Sequence, residues 1–169
     1  MLAKDAFDAA CMKICGQYEQ YGFKYIKSKK EIRAKINGYI FKICISTSRD
    51  NCSDCLVVFE PCAVVRDANG ECLFYCNCSD IKSDFFFTED TVMDLTPLYA
   101  DLPSECRDKL IQSVETRRYI LGRFCGWNVA FPEQQEQTAI DVCYWLDEKF
   151  FSNEVVINII GKKIKAANY

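Results

Sequence analysis

The sequence predicts an α+β protein with an N-terminal helix, an antiparallel β-meander of four to five strands, and C-terminal helices packed on one face of the sheet. Two Asn-Gly pairs separate runs of alternating apolar residues, which is the pattern of β-hairpins. Segments before and after these runs carry apolar residues at helical spacing instead. The chain has 169 residues, half of them apolar, which is enough for one sizeable core. We therefore expect a single domain over 1–169, with a helix in 1–22, the sheet in 23–88 and mainly helical structure in 103–166.

The first segment, 2–21, has an apolar stripe that recurs at intervals of four and three residues, as one face of a helix does. The members of the stripe are Phe7, Cys11, Ile14, Tyr18 and Tyr21. Gly22 follows the last of them and is suited to the left-handed conformation that ends many helices. We expect Cys11 to be a core residue, because it lies within the stripe.

The clearest hairpin turns on Asn37-Gly38, because a type I′ turn needs positive φ at both central residues. This turn pairs Ile36 with Tyr39, Ala34 with Phe41 and Ile32 with Ile43 on one face, and Lys35 with Ile40, Arg33 with Lys42 and Glu31 with Cys44 on the other. A slip of one residue would move the apolar set into water, so the register is well specified. The like-charged pair of Arg33 and Lys42 indicates an outer face that is exposed or that meets anions.

A second pair, Asn69-Gly70, is expected to repeat the same turn and to join the runs 56–66 and 71–78. Pro61 lies inside the first of these runs. Since proline has no N–H to donate to a neighbouring strand, we expect this strand to be at an edge or to carry a bulge there. Residues 84–88 are a candidate fifth strand.

Three further segments have helical patterns. Residues 103–121 begin with Pro103, which is suited to a first turn, and 132–151 open with Glu133 and Glu136, which suit the positive end of a helix. Ser152-Asn153-Glu154 can begin a third helix that runs to about residue 166. The β-branched residues in 155–160 make a last strand the alternative.

Cysteine and histidine usage limits the chemistry, since the chain has twelve cysteines and no histidine. The first residues lack the apolar core of a signal peptide, and no apolar run approaches the length of a membrane helix. We therefore expect a cytoplasmic protein without membrane contact, in which cysteines are thiols or metal ligands. The absence of histidine excludes Ser-His-Asp and Cys-His catalysis and zinc sites that contain histidine.

Four cysteines form a candidate zinc site: Cys52, Cys55, Cys76 and Cys78. Structural zinc takes four thiolates or imidazoles in a tetrahedron, often as two close pairs. The first pair has the usual CxxC spacing, but the second is CxC, so the match is imperfect. Zinc is the one cofactor that the sequence suggests, and packing of small apolar side chains is the alternative explanation for these cysteines.

Charge is unevenly distributed along the chain. Residues 1–50 carry ten Lys and Arg against five Asp and Glu, whereas 51–169 carry eleven against nineteen. Candidate residues for binding an anion or a partner are Lys24, Lys27, Lys29, Lys30, Arg33 and Arg49. Such a basic cluster with interspersed aromatic residues can hold phosphates, so nucleic-acid binding through 24–49 is one alternative. Two differently solvated faces of one domain are the other.

The acidic second half offers complementary charge to a basic protein partner. Candidate residues for this acidic partner surface are Glu133, Glu136, Asp141, Asp147 and Glu148. They follow one another through the helix predicted in 132–151.

The first half combines a helix, then Gly22-Phe23-Lys24, a basic turn, a hairpin and the polar segment 46–51, which is Ser-Thr-Ser-Arg-Asp-Asn. This order resembles a group of small uncharacterised bacterial α+β domains, some of which are similar to immunity proteins of toxin systems. The resemblance covers about residues 5–66 and excludes the cysteines and the C-terminal part. It implies a binding protein without catalytic chemistry and supplies no catalytic residues.

The functional hypothesis from the sequence is therefore a bacterial intracellular interaction protein, immunity-like or regulatory and non-catalytic, that binds another protein. A zinc-stabilised four-cysteine module and a nucleic-acid-binding protein are the alternatives. Catalysis is not expected, because the chain lacks histidine and any recognisable catalytic motif. Cys106, near the start of a predicted helix, is the one candidate nucleophile, and its place in an apolar stripe argues against that role.

Overall fold

An antiparallel sheet covered by helices organises the part of the chain that the computed structural model describes, which is residues 2–47, 51, 57–78, 84–87, 122–125 and 127–168. The helices are α1 (Ala3–Tyr18), α2 (Pro132–Trp145) and α3 (Glu154–Ile160), and a π-helical turn, Leu146–Phe150, continues α2. The strands are β1 (Lys24–Ile26), β2 (Glu31–Ile36), β3 (Tyr39–Ser46), β4 (Val58–Arg66), β5 (Cys72–Asn77), β6 (Asp84–Phe87), β7 (Gly122–Cys125) and β8 (Trp127–Asn128). The predicted α+β class is confirmed.

The main sheet has the strand order β1-β2-β3-β4-β5, and β8 also pairs with β4. Every pairing is antiparallel, so the predicted meander is confirmed from β1 to β5. Residues 84–87 do form a strand, but this strand pairs with β7 in a separate two-stranded sheet. The helix predicted over 103–121 lies outside the described residues.

The β2–β3 hairpin has the register that its turn predicts, with Ile36 opposite Tyr39 and Glu31 opposite Cys44 at its far end. The two turn residues, Asn37 and Gly38, both have positive φ, at 51° and 86°. The side-chain amide of Asn37 also donates a hydrogen bond of 2.8 Å to the carbonyl of Ile159 in α3. The turn therefore fixes the register and also joins the sheet to the last helix.

The second hairpin turn differs from the first, so the prediction that Asn69-Gly70 repeats it is wrong. Gly70 has a φ of 86°, whereas Asn69 is not among the residues with positive φ. The amide of Gly70 donates to the carbonyl of Asp67 at 3.1 Å, and the Asp67 side chain accepts from the amides of Asn69 and Glu71. The Asp67 carboxylate thus organises a longer turn, with a register shift between Val65 and Arg66.

Pro61 occupies an interior strand, which corrects the prediction of an edge strand or of a bulge at this position. It lies opposite Ile45, whose amide donates to the carbonyl of Lys30 on the far side of β3. Because N–H directions alternate along a strand, the pair of Ile45 and Pro61 is not a hydrogen-bonded pair. The nitrogen of Pro61 points away from β3 and towards β5. The pairing of β4 with β5 starts one residue later, at Cys62, so the missing N–H of the proline removes no hydrogen bond between these two strands.

The core lies between the helices and the inner face of the sheet, where α1 also packs against α2. Ile32, Ala34, Phe41, Ile43, Ala63 and Val65 form the buried inner face of the sheet. The ring of Phe7 in α1 lies 5.3 Å from that of Phe59, and Phe150 of the π-helical turn contacts Phe41 and Phe74. Burial of side chains of this size contributes roughly 1.5–3 kcal/mol each, so these contacts hold the helices on one face.

Capping residues mark both ends of α3. The side chain of Asn153 accepts a hydrogen bond from the amide of Val155, and Gly161 ends α3 with a φ of 80°. Residues 155–160 are therefore helical rather than a strand, and the helix ends well before the predicted residue 166. None of the described helices is both long enough and apolar enough to cross a membrane.

Two glycine substitutions test how far the hairpin turn depends on its backbone conformation. A Cβ added at Gly38 or at Gly16 meets no atom within 4 Å, but only Gly38 has a positive φ, of 86°. We expect Gly38→Ala to lower the free energy of unfolding by about 1–2 kcal/mol, because an L-residue is strained there. Gly16→Ala, in the last turn of α1, should raise it by about 0.5–1 kcal/mol. Urea denaturation measures both, and equal effects of the two substitutions would contradict this account.

Candidate functional site

The face of the sheet opposite the helices carries polar and charged side chains of β1 to β5 together with the buried Val64, and we call it the outer face. Its members include Lys24, Glu31, Arg33, Lys35, Lys42, Cys44, Cys62, Val64, Tyr75 and Asn77. They belong to it because side chains alternate between the two faces of a strand. The outer face is therefore a direct consequence of the registers that bury the apolar set.

One row of the outer face runs across all five strands. Lys24 lies opposite Arg33, Arg33 lies opposite Lys42, and Val64 and Tyr75 continue the row. Neighbouring strands are about 4.8 Å apart, so three cationic side chains stand in adjacent positions. The row ends at Tyr75, whose side chain is 53% exposed. We call this set the basic row.

A buried carboxylate explains how Arg33 and Lys42 can lie side by side. Glu31 is only 6% exposed, and its oxygens lie 3.9 Å from Nη1 of Arg33 and 3.4 Å from Nζ of Lys42. The carboxylate offsets part of the repulsion that the sequence predicts for this pair. The row has three cations and one neighbouring anion, so its net charge is positive. This positive charge is the physical reason to expect that the outer face meets anions.

The other predicted basic residues have different surroundings. Nζ of Lys27 lies 2.6 Å from the buried carboxylate of Asp8 in α1, and Nζ of Lys30 lies 5.3 Å from the centre of the Phe7 ring. Lys29 is exposed in the same turn. Only Lys24 and Arg33 of the predicted set lie on the outer face, and Arg49 is outside the described residues.

Asp8 is held by two donors. Burial works to raise the pKa of its carboxyl, but hydrogen bonds from Lys27 and Tyr25 outweigh burial, and the pKa of Asp8 is lowered. The hydroxyl of Tyr25 donates to Oδ1 of Asp8 at 2.6 Å. Asp8 therefore attaches α1 to β1 and to the basic turn that follows, so Lys27 has a structural partner.

The five residues predicted to form an acidic partner surface fall into two groups, those that accept hydrogen bonds within the fold and those that are exposed. Asp141 accepts hydrogen bonds from the indole of Trp127 at 2.8 Å and from the amide of Gln137 at 2.9 Å. Asp147 accepts from the hydroxyl of Tyr18 at 2.9 Å and from the backbone amide of Ala166. Both carboxylates thus hold elements of the fold together.

The other three residues of that set, Glu133, Glu136 and Glu148, are exposed. Glu136 forms an ion pair with Lys13 of α1. Burial raises the pKa of the Asp147 carboxyl, against the hydrogen bonds from Ala166 and Tyr18. An acidic binding surface in this part of the chain stays a prediction, with Glu133 and Glu148 as the residues that are most open to a partner.

The candidate zinc site cannot be assembled from the described residues, because Cys52 and Cys55 lie outside them. Cys78 belongs to the buried core and Cys76 packs against it. Within the described ranges no group of three or more Cys, Asp or Glu side chains is arranged to hold a metal ion. The four-cysteine zinc site stays a prediction.

The clefts on the described surface include two beside α1. The smaller, of about 250 Å³, has Asp8, Lys27 and Lys30 in its lining, and its carboxylate is already paired with Lys27. The larger, of about 480 Å³, is lined by Met12, Cys15, Glu19, Gly22, Phe23, Lys24 and Tyr25. Burial raises the pKa of the Cys15 thiol, which donates a hydrogen bond to the carbonyl of Phe23. This thiol is therefore a packed core group rather than a nucleophile.

Sequence reasoning missed one pair on the outer face. Cys44 of β3 lies directly opposite Cys62 of β4, and their thiols are hydrogen bonded to each other. The hydrogen bond from Cys44 lowers the pKa of the Cys62 thiol to about 7, against burial, with a second hydrogen bond from Tyr75. The same hydrogen bond raises the pKa of Cys44. No motif marks this pair, because the pairing of β3 with β4 is not visible in the sequence.

Comparisons with protein-family models, with curated protein sequences and with solved structures find no match to this chain. The functional interpretation therefore depends on the geometry of the outer face. That geometry offers two features: a row of cations ending in an exposed tyrosine, and a pair of facing thiols.

Replacement of Lys27 by glutamine tests the ion pair with Asp8. A carboxylate whose folded-state pKa is lowered stabilises the fold above its unfolded pKa of about 4, and this contribution is lost as pH falls through the folded pKa. We expect Lys27→Gln to be less stable than the wild type at pH 7, and the difference to shrink below about pH 4. Urea denaturation over this pH range measures it. Lys29→Gln, in the same exposed turn, is the control, and a deficit independent of pH would refute the role of Asp8.

A double-mutant cycle tests the coupling of Glu31 to Lys42. Glu31→Gln removes a buried negative charge between two cations, so we expect it to lower the free energy of unfolding by about 2 kcal/mol. Lys42→Gln in the same chain removes one of the cations left facing each other. The double variant should therefore be more stable than the sum of the single effects by about 1 kcal/mol, measured by urea denaturation. Strictly additive effects would show that the two side chains are not coupled.

Proposed function

We propose that the chain is a non-catalytic binding protein whose outer face contacts an acidic segment of a protein partner. The observation that carries the proposal is the basic row, in which Lys24, Arg33 and Lys42 stand on adjacent strands and lead to the exposed Tyr75. The resemblance of residues 5–66 to immunity-protein-like bacterial domains implies the same kind of activity. An intracellular bacterial setting is part of this proposal.

The arrangement of the two faces supports this choice of surface. The described helices pack on the inner face through Phe7 and Phe150, so the part of the outer face that a partner can reach consists of its exposed side chains. Lys24 and Lys35 are exposed on it. Complementary charge accelerates encounter and selects partners, and an exposed tyrosine supplies apolar contact area at the same place.

The local charge also agrees with an acidic partner. The whole chain has a net charge of −3, so its overall field does not attract anions. The attraction must come from the basic row, which acts over about one Debye length, roughly 8–10 Å at physiological salt. A short acidic peptide segment laid across the strands fits this range better than a long polyanion does.

Binding of two anionic probes to the full-length chain tests the proposal. The probes are a fluorescent polyglutamate peptide and a single-stranded oligonucleotide of equal charge, followed by fluorescence anisotropy at low and physiological salt. We expect the peptide to bind more tightly than the oligonucleotide, and Lys24→Glu with Lys35→Glu to weaken peptide binding about tenfold, or about 1.4 kcal/mol. Tyr75→Ala should weaken it as well.

Lys149→Glu is the matched control, because Lys149 is exposed in the π-helical turn on the helix side of the sheet. It should change the affinity less than twofold. Equal losses in the control and in the outer-face variant would overturn the proposed surface. Tighter binding of the oligonucleotide would favour the nucleic-acid alternative, and binding of neither probe would refute an anionic partner.

A further inference from the structure

Cys44 and Cys62 occupy positions from which a covalent bond between strands can form. They are opposite each other in the β3–β4 register, and both side chains are partly exposed on the outer face. The amide of Ile45 points towards Lys30, so the neighbouring Cys44 directs its backbone groups towards β4 and the pair is a hydrogen-bonded one. Such pairs have Cα atoms about 5.5 Å apart, which lies within the range that disulfides span.

The surroundings of this pair differ from those of two cysteines in the described core, Cys11 and Cys143. Burial raises the pKa of Cys11 and of Cys143 to about 12, so these thiols are inert packing groups. Cys62 instead receives hydrogen bonds from Cys44 and from Tyr75, and the pKa of its thiol is lowered to about 7. The pKa of Cys44 is raised instead, by the hydrogen bond with Cys62 and by burial, and Lys42 only partly opposes this shift. The two thiols of this pair therefore lie directly opposite each other on a partly exposed face, unlike the packed thiols of the core.

We propose that Cys44 and Cys62 form a reversible redox site, in which a low-molecular-weight disulfide converts the two thiols into a cross-strand disulfide. Cys62 is the attacking thiol and Cys44 is the resolving thiol. The inference is independent of the proposed binding function. It assigns a modification site to a pair that contains none of the candidate zinc cysteines.

The exchange proceeds in two steps. The Cys62 thiolate attacks one sulfur of the small disulfide, which forms a mixed disulfide and releases the first small thiolate. Cys44 then loses its proton, its sulfur attacks the sulfur of Cys62, and the second small thiolate leaves. The two protein thiols lose two electrons, the small disulfide gains them, and the two leaving thiolates take up the two protons. A small dithiol reverses the reaction by the same steps.

Incubation of the reduced, full-length chain with oxidised glutathione tests the site. Free thiols are then alkylated, and peptide mass spectrometry locates each modified cysteine. We expect a disulfide between Cys44 and Cys62 that dithiothreitol removes. Cys72, which is exposed on β5, should end instead as a mixed disulfide with glutathione.

Two variants separate the roles of the thiols. Cys44→Ser lacks the resolving thiol, so a glutathione adduct should accumulate on Cys62, whereas Cys62→Ser should carry little adduct on Cys44. Cys72→Ser is the control, and the Cys44–Cys62 disulfide should form in it at the wild-type rate. A stable adduct on Cys62 in the wild type, or a disulfide from Cys62 to Cys78 instead, would overturn the assignment. The wild-type map decides the question even where a variant fails to fold.

Discussion

The structure depends on the register of the β2–β3 hairpin. Asn37 and Gly38 both adopt positive φ, and this two-residue turn leaves one way to pair the strands that follow and precede it. The pairing places Phe41 and Ile43 against the helices and, by alternation, places Lys42 and Cys44 on the opposite side. The chemistry of the outer face is therefore fixed by the same turn that fixes the core, because a slip of one residue would exchange the two faces.

Two buried carboxylates determine which cations in the first half of the chain are free to contact a partner. Asp8 holds Lys27 beside α1, and Glu31 lies between Arg33 and Lys42 on the outer face. A buried charge is costly unless it is paired, so each of these acids requires its cations to stay in place. The consequence differs in the two cases. Lys27 is bound by the fold, whereas the outer face has more cations than its one buried acid can neutralise.

Sequence reasoning predicts local geometry here and fails at long range. The hairpin register follows from Asn37-Gly38 because the constraint lies within two residues, and the helix that begins at Asn153 follows from a local cap. The pairing of β3 with β4 depends instead on a connection of about ten residues, which carries no signal of register in the sequence. The sequence therefore predicts Cys44 opposite Glu31 on one side but does not predict Cys62 opposite it on the other.

The same limit explains the predicted acidic surface. Asp141 and Asp147 carry the charge expected of solvent-facing helix residues, and nothing in their spacing indicates that Trp127 and Tyr18 donate hydrogen bonds to them. Composition predicts that a helix has acidic residues, but only the packing decides which of them accept internal hydrogen bonds. A charge count over a segment therefore overestimates the surface available to a partner.

The two features of the outer face share one residue. Tyr75 ends the basic row and also donates a hydrogen bond to the thiol of Cys62. A thiolate on Cys62 is a negative charge beside that row, and conversion to a disulfide removes both this charge and the acceptor of the Tyr75 hydroxyl. Oxidation would thus make the outer face more positive and release Tyr75 from its hydrogen bond. The physical link between the thiol pair and the charged surface is electrostatic, and it follows from their positions on adjacent rows of one sheet.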